Sequence, residues 1–278
     1  MSDWFRTYEY GAPKDLQKSL VATYEARHID HLMDRYRADP LLVDDYLRLT
    51  GAAKKGASLW LTTPPSEPAF EMSDGDFRYA IRHRMGLPPY RQYKVGAVCS
   101  LCNESAITAH HFHSCAQLRG GAVTQRHNYI EKTLALLIEQ AGCSAYRQPH
   151  IPIDDQSHAR RLALAADQEV PPQRELCADI AVNGRLDETC CLIDIAVIHT
   201  ASPSYIKDGK TGKHAADRET QKRFQYRNYK GEIPLVPFVM ESHGGWGKAA
   251  LHFLRQLSLE AAVGEGTTSL RTPTTRDA

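Results

Sequence analysis

Glu175-Leu-Cys-Ala-Asp-Ile-Ala-Val182 and Thr189-Cys-Cys-Leu-Ile-Asp-Ile-Ala-Val-Ile-His-Thr200 are two apolar runs separated by Asn183-Gly-Arg-Leu-Asp-Glu188. Their length, composition and bounding turn residues predict two strands joined by a polar turn over 183–188. Each run is interrupted by one carboxylate, Asp179 and Asp194. A carboxylate with apolar neighbours on both sides must be neutral, paired or metal-bound, because an isolated buried charge is costly. A two-residue turn at Asn183-Gly184 would set Asp179 opposite Glu188 and strand Asp194 farther along. With all of 183–188 as loop, Asp179 sits opposite Leu192, and Asp194 becomes its diagonal neighbour on the same face. The second register is adopted. Two hard oxygen donors so placed suit Mg²⁺, an ion that lowers the pKa of bound water and neutralises a phosphate.

Outward from this hairpin, helix and strand signals alternate. Tyr129–Ala141 carries apolar residues at helical spacing and stops at Gly142, and Cys143–Pro149 reads as a short strand. Residues 154–172 are polar and loop-like. Ala215–Tyr229 is a charge-rich helix, Pro234–Met240 a strand, and Trp246–Ala262 an amphipathic helix. That order predicts an α/β fold, a mixed β-sheet flanked by helices, over 125–263. The tail, 264–278, is small and polar and reads as disordered.

Toward the amino terminus, 14–50 reads as two helices broken at Asp39-Pro40, followed by a Gly/Ala/Lys/Ser-rich linker, Gly51–Ser58. Residues 1–58 thus form a helical region and linker, and 59–124 a connecting region with one further helix, Asp76–Met85. Within that region Cys99-Ser-Leu-Cys102, His110 and Cys115 follow the pattern Cys-x2-Cys-x7-His-x4-Cys. A tight turn pairs two thiolates, and a short loop returns an imidazole and a third thiolate to close a tetrahedron around zinc. Three buried free thiols are the plainer reading, but the spacing and the nearby imidazoles favour the metal. His111 would give gaps of x8 and x3; His110 is taken as the ligand, leaving His111 and His113 facing solvent or phosphate.

The chain has 278 residues and a formal net charge of +1, so no global basic excess advertises nucleic acid. Any such surface must come from local clusters: Arg82-His-Arg84, Arg91-Gln-Tyr-Lys94 and Lys222-Arg223. Seven cysteines, no signal-peptide-like apolar run after Met1 and no apolar run long enough to span a bilayer point to a reducing compartment, nuclear or cytoplasmic.

From about Trp60 to Leu257 the sequence resembles the carboxyl-terminal region of non-LTR retrotransposon proteins, in which a Cys-Cys-His-Cys zinc knuckle precedes a restriction-like endonuclease of the PD-(D/E)xK superfamily. The landmarks are the knuckle, Arg126-His-Asn128, Ala178-Asp179, fourteen intervening residues, Asp194, and Glu219-x-x-Lys222-x-x-x-Tyr226. The resemblance implies a restriction-endonuclease-like core and Mg²⁺-dependent nicking of DNA, with element RNA as a further partner. Asp179 and Asp194 would hold Mg²⁺, helped by the carbonyl of Ile195. Lys222 would orient or deprotonate the attacking water, Glu219 would face the same metal, and His127 would contact the phosphate. Two positions depart from the pattern. Ala178 replaces the proline before the first acid, and Ala196 stands where a lysine usually follows the second. Lys222 is assigned that role, with Lys207, Lys210 and Lys213 as alternatives. A different outcome of the same ancestry is a catalytically decayed, zinc-stabilised nucleic-acid-binding module from a truncated reverse-transcriptase protein.

Overall fold

The computed structural model of the chain describes residues 16–39, 41–65, 68, 71–88, 96–103, 110–115, 117, 121–152, 175–202, 214–229 and 231–269. Among them the helices are α1 (Leu16–Ala38), α2 (Val43–Ala52), α3 (Leu59–Thr62), α4 (Asp74–Arg84), α5 (His111–Ser114), α6 (Gly121–Gln140), α7 (His214–Gln225) and α8 (Lys248–Ser269). The strands are β1 (Ser144–Arg147), β2 (His150–Pro152), β3 (Glu175–Cys177), β4 (Ile180–Asn183), β5 (Cys191–Ile198) and β6 (Leu235–Glu241). The fold is mixed α/β. A four-stranded sheet in the order β1-β4-β5-β6 is antiparallel except for the parallel pair β5–β6, and β2 and β3 form a second, two-stranded sheet.

β5 is central and buried along nearly its whole length. Its side chains alternate between two environments, as the pleat requires. Cys191, Ile193 and Ile195 join Ile180, Val182 and Phe238 in a core with Leu134, Ala135 and Ile138 of α6 and Ala250, Phe253 and Leu257 of α8. Leu192, Ala196 and Ile198 point the other way, where Tyr226 and Ala215 cover them. Helices on both faces of a sheet explain why β5 reads as a continuous apolar run rather than an alternating one. Asp194 has the parity of the α7 side.

The expected single strand 175–182 is two strands with a bend at Ala178-Asp179. The partner chain bends beside it, with Gln148 at φ 54° between β1 and β2. The two bends are tied together: Gln148 N donates to Asp179 O, and Ala178 N to Pro149 O. The register also differs from the expected one by two residues. Ile180 pairs with Ile193 and Ala181 with Leu192, so the ladder brings Asp179 level with Asp194 rather than Leu192. A two-residue shift preserves the face, so the two acids stay on one side.

The turn 183–188 owes its length to a group outside it. Glu260 of α8 is fully buried and accepts hydrogen bonds from Arg185 N, Leu186 N and Thr189 Oγ1. Its own burial pushes its pKa up, but those donors prevail and hold it below the ordinary 4.5. Gly184 is required here, because a Cβ would fall 1.8 Å from Thr189 Oγ1.

Other boundaries moved as well. α6 begins eight residues before the expected Tyr129, which places Arg126, His127 and Asn128 inside the helix. α8 continues to Ser269, past the expected start of a disordered tail at Gly264. Gly51–Ser58 is no loose linker. Gly51, Ala52 and Ala57 are buried, Arg84 donates to Ala52 O, Ala57 O and Ser58 Oγ, and Lys54 pairs with buried Glu241 at the end of β6. Arg84 is therefore spent on backbone carbonyls, and Arg82 on Pro88 O, instead of forming a free phosphate-binding cluster. The expected loop 154–172, the basic stretch Arg91–Lys94, and Lys207, Lys210 and Lys213 lie outside the described residues.

Candidate metal and carboxylate sites

Three clusters of chemically active side chains gather around the sheet and α5. The first holds the cysteines. Asn103 N donates to Cys99 O, closing a tight turn in which Leu101 N points at Cys99 Sγ from 3.4 Å. Amide donors at Cys102 and Leu101 lower the Cys99 thiol to about 6, which favours the thiolate a metal needs. The ligand-bearing atoms of Cys99, Cys102, His111 and Cys115 all lie within 4.8 Å of one another, a group that could hold a metal ion. Cys102 Sγ and His111 Nε2 are 3.6 Å apart, close to the tetrahedral edge of about 3.5–3.8 Å expected around zinc with ligands at 2.0–2.3 Å. Three soft thiolates and one imidazole are a donor set consistent with zinc.

The imidazole in this group is His111, not the expected His110. The reason is local helicity: His111 and Cys115 bracket α5, and Cys115 N donates to His111 O at 2.8 Å. Residues four apart on a helical turn share a side, whereas a five-residue separation turns His110 away. His-x3-Cys was the signal available in the sequence. His113 does not face solvent either; burial, the largest cause, and neighbouring imidazoles push it down to about 2.

The second cluster lies where β4, β5, α6 and α7 meet. The bend at Asp179 turns its carboxylate across the strand end, where Oδ2 accepts from Ile195 N at 2.5 Å and stands 3.2 Å from His127 Nε2 of α6. Burial raises the Asp179 pKa most, and Asp194 adds to the rise, against the lowering by Ile195 N–H, His127 and Lys222. Asp194 Oδ1 accepts from Lys222 Nζ at 2.7 Å, and both side chains are nearly enclosed. Asp194 Oδ2 is buried with no hydrogen-bond partner. Tyr226, one turn beyond Lys222, donates its hydroxyl to Cys177 O at 3.1 Å. A buried, orphaned carboxylate oxygen beside a second carboxylate is a place that hard-cation coordination would satisfy, so the residues present fit Mg²⁺.

Glu219 departs from its expected place. Its Oε1 accepts from Ala249 N in the first turn of α8, and Gly247 gives it room, since a Cβ there would meet that oxygen at 2.2 Å. Glu219 therefore caps a helix instead of facing the two aspartates. One acid was missed: Glu131, four residues after His127 on α6, is fully buried, with Oε1 on Arg147 Nε and Oε2 unpartnered. The signal was the i, i+4 spacing from His127.

No protein-family model matches this chain, and no curated protein does. The sites therefore stand on their geometry alone.

The third cluster is made of imidazoles. His110 lies with His199, which follows β5, and His243, in the turn after β6; one nitrogen of each falls within 4.8 Å of the others. His83 of α4 and His113 of α5 stack on this group, with centroids 4.5 Å from His243 and 4.4 Å from His199. Burial first, and neighbouring imidazoles second, push His199 and His243 down to about 2. Among the described residues no helix is long and apolar enough to cross a membrane.

Proposed function

We propose that the chain is a Mg²⁺-dependent DNA endonuclease of retroelement origin, with a restriction-endonuclease-like core and zinc in the Cys99–Cys102–His111–Cys115 group. The observation that carries this reading is the juxtaposition of Asp179, Asp194 and Lys222 on one face of the sheet, with Asp194 Oδ2 buried and unpartnered. Mg²⁺ held by Asp179 and Asp194 would supply Lewis acidity at a scissile phosphate. The chain's own residues do the rest. Ile195 N–H fixes the Asp179 rotamer, and His127 Nε2 holds the same oxygen from the other side. Lys222 Nζ, held 2.7 Å from Asp194 Oδ1, offers its charge to the phosphate oxygens as negative charge develops. His127 and Asp179 are the more open members, with side-chain exposures of 32% and 18%, so the phosphate approaches over them.

The lysine absent at Ala196 is supplied from the helix that covers the same face. Ala196 points toward α7, as Asp194 does, and packs with Ala215 and Val239. The test is nicking of supercoiled plasmid in Mg²⁺ or Mn²⁺, comparing the chain with Asp194→Ala. Nicking that disappears in the variant supports the nuclease. Equal DNA binding by both proteins, with no nicking by either, would replace it with a binding module.

A further inference from the structure

The three imidazoles of His110, His199 and His243 form a near-equilateral triangle, with ring centroids 5.4, 5.4 and 5.7 Å apart. Their planes are tilted by 34°, 55° and 77°, so they do not stack on one another; they converge. Nitrogens about 2 Å from one tetrahedral metal would set the centroids about 5 Å apart. Each residue is at least nine-tenths buried, at 8%, 7% and 6% exposure. His199 donates or accepts through Nδ1 to Ser242 Oγ at 2.7 Å, which fixes its ring and leaves Nε2 buried without a partner. Neither ring nitrogen of His243 has a partner. Enclosing His199 Nε2 and the His243 ring without partners costs about a hydrogen bond's worth of free energy at each nitrogen, and a metal removes that cost at one nitrogen of each ring.

We infer that His110, His199 and His243 bind a second zinc ion, distinct from the thiolate-bound one. Imidazole donors select zinc and its borderline neighbours over Mg²⁺ or Ca²⁺. The site also gives the adjacent histidines, 110 and 111, separate purposes: His111 closes the cysteine group, and His110 turns to the sheet. The ion clasps His110, at the start of α5, to His199 and His243, which follow β5 and β6. Ser242 supplies the orienting contact for a ligand imidazole, as metal-bound histidines usually require of a neighbour. His83 Nε2 is engaged with Ser242 O at 3.1 Å, so that ring packs behind the site.

The inference does not depend on nuclease activity, and its test separates the two sites by chemistry. The full chain purified with zinc should hold two equivalents. An organomercurial, which displaces zinc only from thiolates, should release one and leave the other. His243→Asn should lose the mercurial-resistant equivalent and keep the other. With Co²⁺ as probe, thiolate charge-transfer absorption should saturate after one equivalent, while a second adds only visible d–d bands. A wild-type protein whose zinc is entirely released by the mercurial overturns the site, whatever the variant does. So would a mercurial-resistant equivalent that survives in folded His243→Asn.

Discussion

The cysteine group and the aspartate pair solve opposite problems with opposite means. The donors of Cys99, Cys102, His111 and Cys115 all come from one stretch of seventeen residues, and the nearest layer around Cys99 is backbone amide. Around Asp179 and Asp194, the groups come from four elements spread over a hundred residues, and the pair is held by the packing of α6 and α7 on a sheet. The first arrangement offers four donors and no counter-charge, the form of a closed structural site. The second carries its own counter-charge, Lys222, and leaves Asp194 Oδ2 without a partner, the form proposed above for an open one. Structural and catalytic metal sites differ in just this respect.

The widest separation between the regions is expected in activity. Asp194→Ala should reduce plasmid nicking by at least about 10³-fold, while elemental analysis finds its zinc unchanged. An Asp194→Ala protein that nicks normally would end the nuclease reading. Lys222→Ala should follow, with a loss of about 10²–10⁴-fold in turnover and little change in DNA affinity, because the charge acts on the transition state. Cys102→Ser should do the reverse. It should lose the thiolate-bound metal and amide-exchange protection over 96–115, yet leave protection in β5 and α6 intact. Loss of protection in β5 as well would show that the two regions are not separable.

Glu260→Ala should cost about 2–4 kcal/mol of stability, read by chemical denaturation, since three donors lose their acceptor in a buried turn. Because its folded-state pKa is depressed, this carboxylate's contribution is complete above about pH 5. It fades as pH falls through 4.5 toward the lower folded value. The wild-type advantage over Glu260→Gln should shrink across that window, and an advantage that grows there would contradict it. The smallest effect on stability is expected at Asp179. Its pKa is raised by burial above all, so Asp179→Asn should leave stability unchanged or increase it by about 1 kcal/mol while activity collapses.

What could be read from the residues followed how local each feature is. The sheet, its central strand and the shared face of Asp179 and Asp194 were legible because apolar runs and period-two alternation are written along the chain. The reach of Lys222 was legible only through resemblance. The bend that splits β3 from β4 was not, because it is shared with a positive-φ residue, Gln148, thirty positions away. The turn was misjudged because Glu260, which shapes it, lies some seventy residues downstream. Glu219 was misassigned for a similar reason: helical spacing puts it one turn before Lys222, but the amino end of α8 claims its carboxylate. His110 fits the spacing of a loop, but the chain forms a helical turn there, which puts His111 with the cysteines.

β5 serves two clients with one alternating chain. Odd positions from Cys191 to Ile195 fill the core beneath α6 and α8, and even positions carry Asp194 among Leu192, Ala196 and Ile198 under α7. Neither face is open to water, so neither can absorb the other's side chains. Inserting or deleting one residue between Cys191 and Asp194 would drive the carboxylate into the oily layer and lift isoleucines toward Lys222. The strand can therefore vary by substitution but not by length. Its reading frame, more than any single residue in it, keeps the site on the outside of the core.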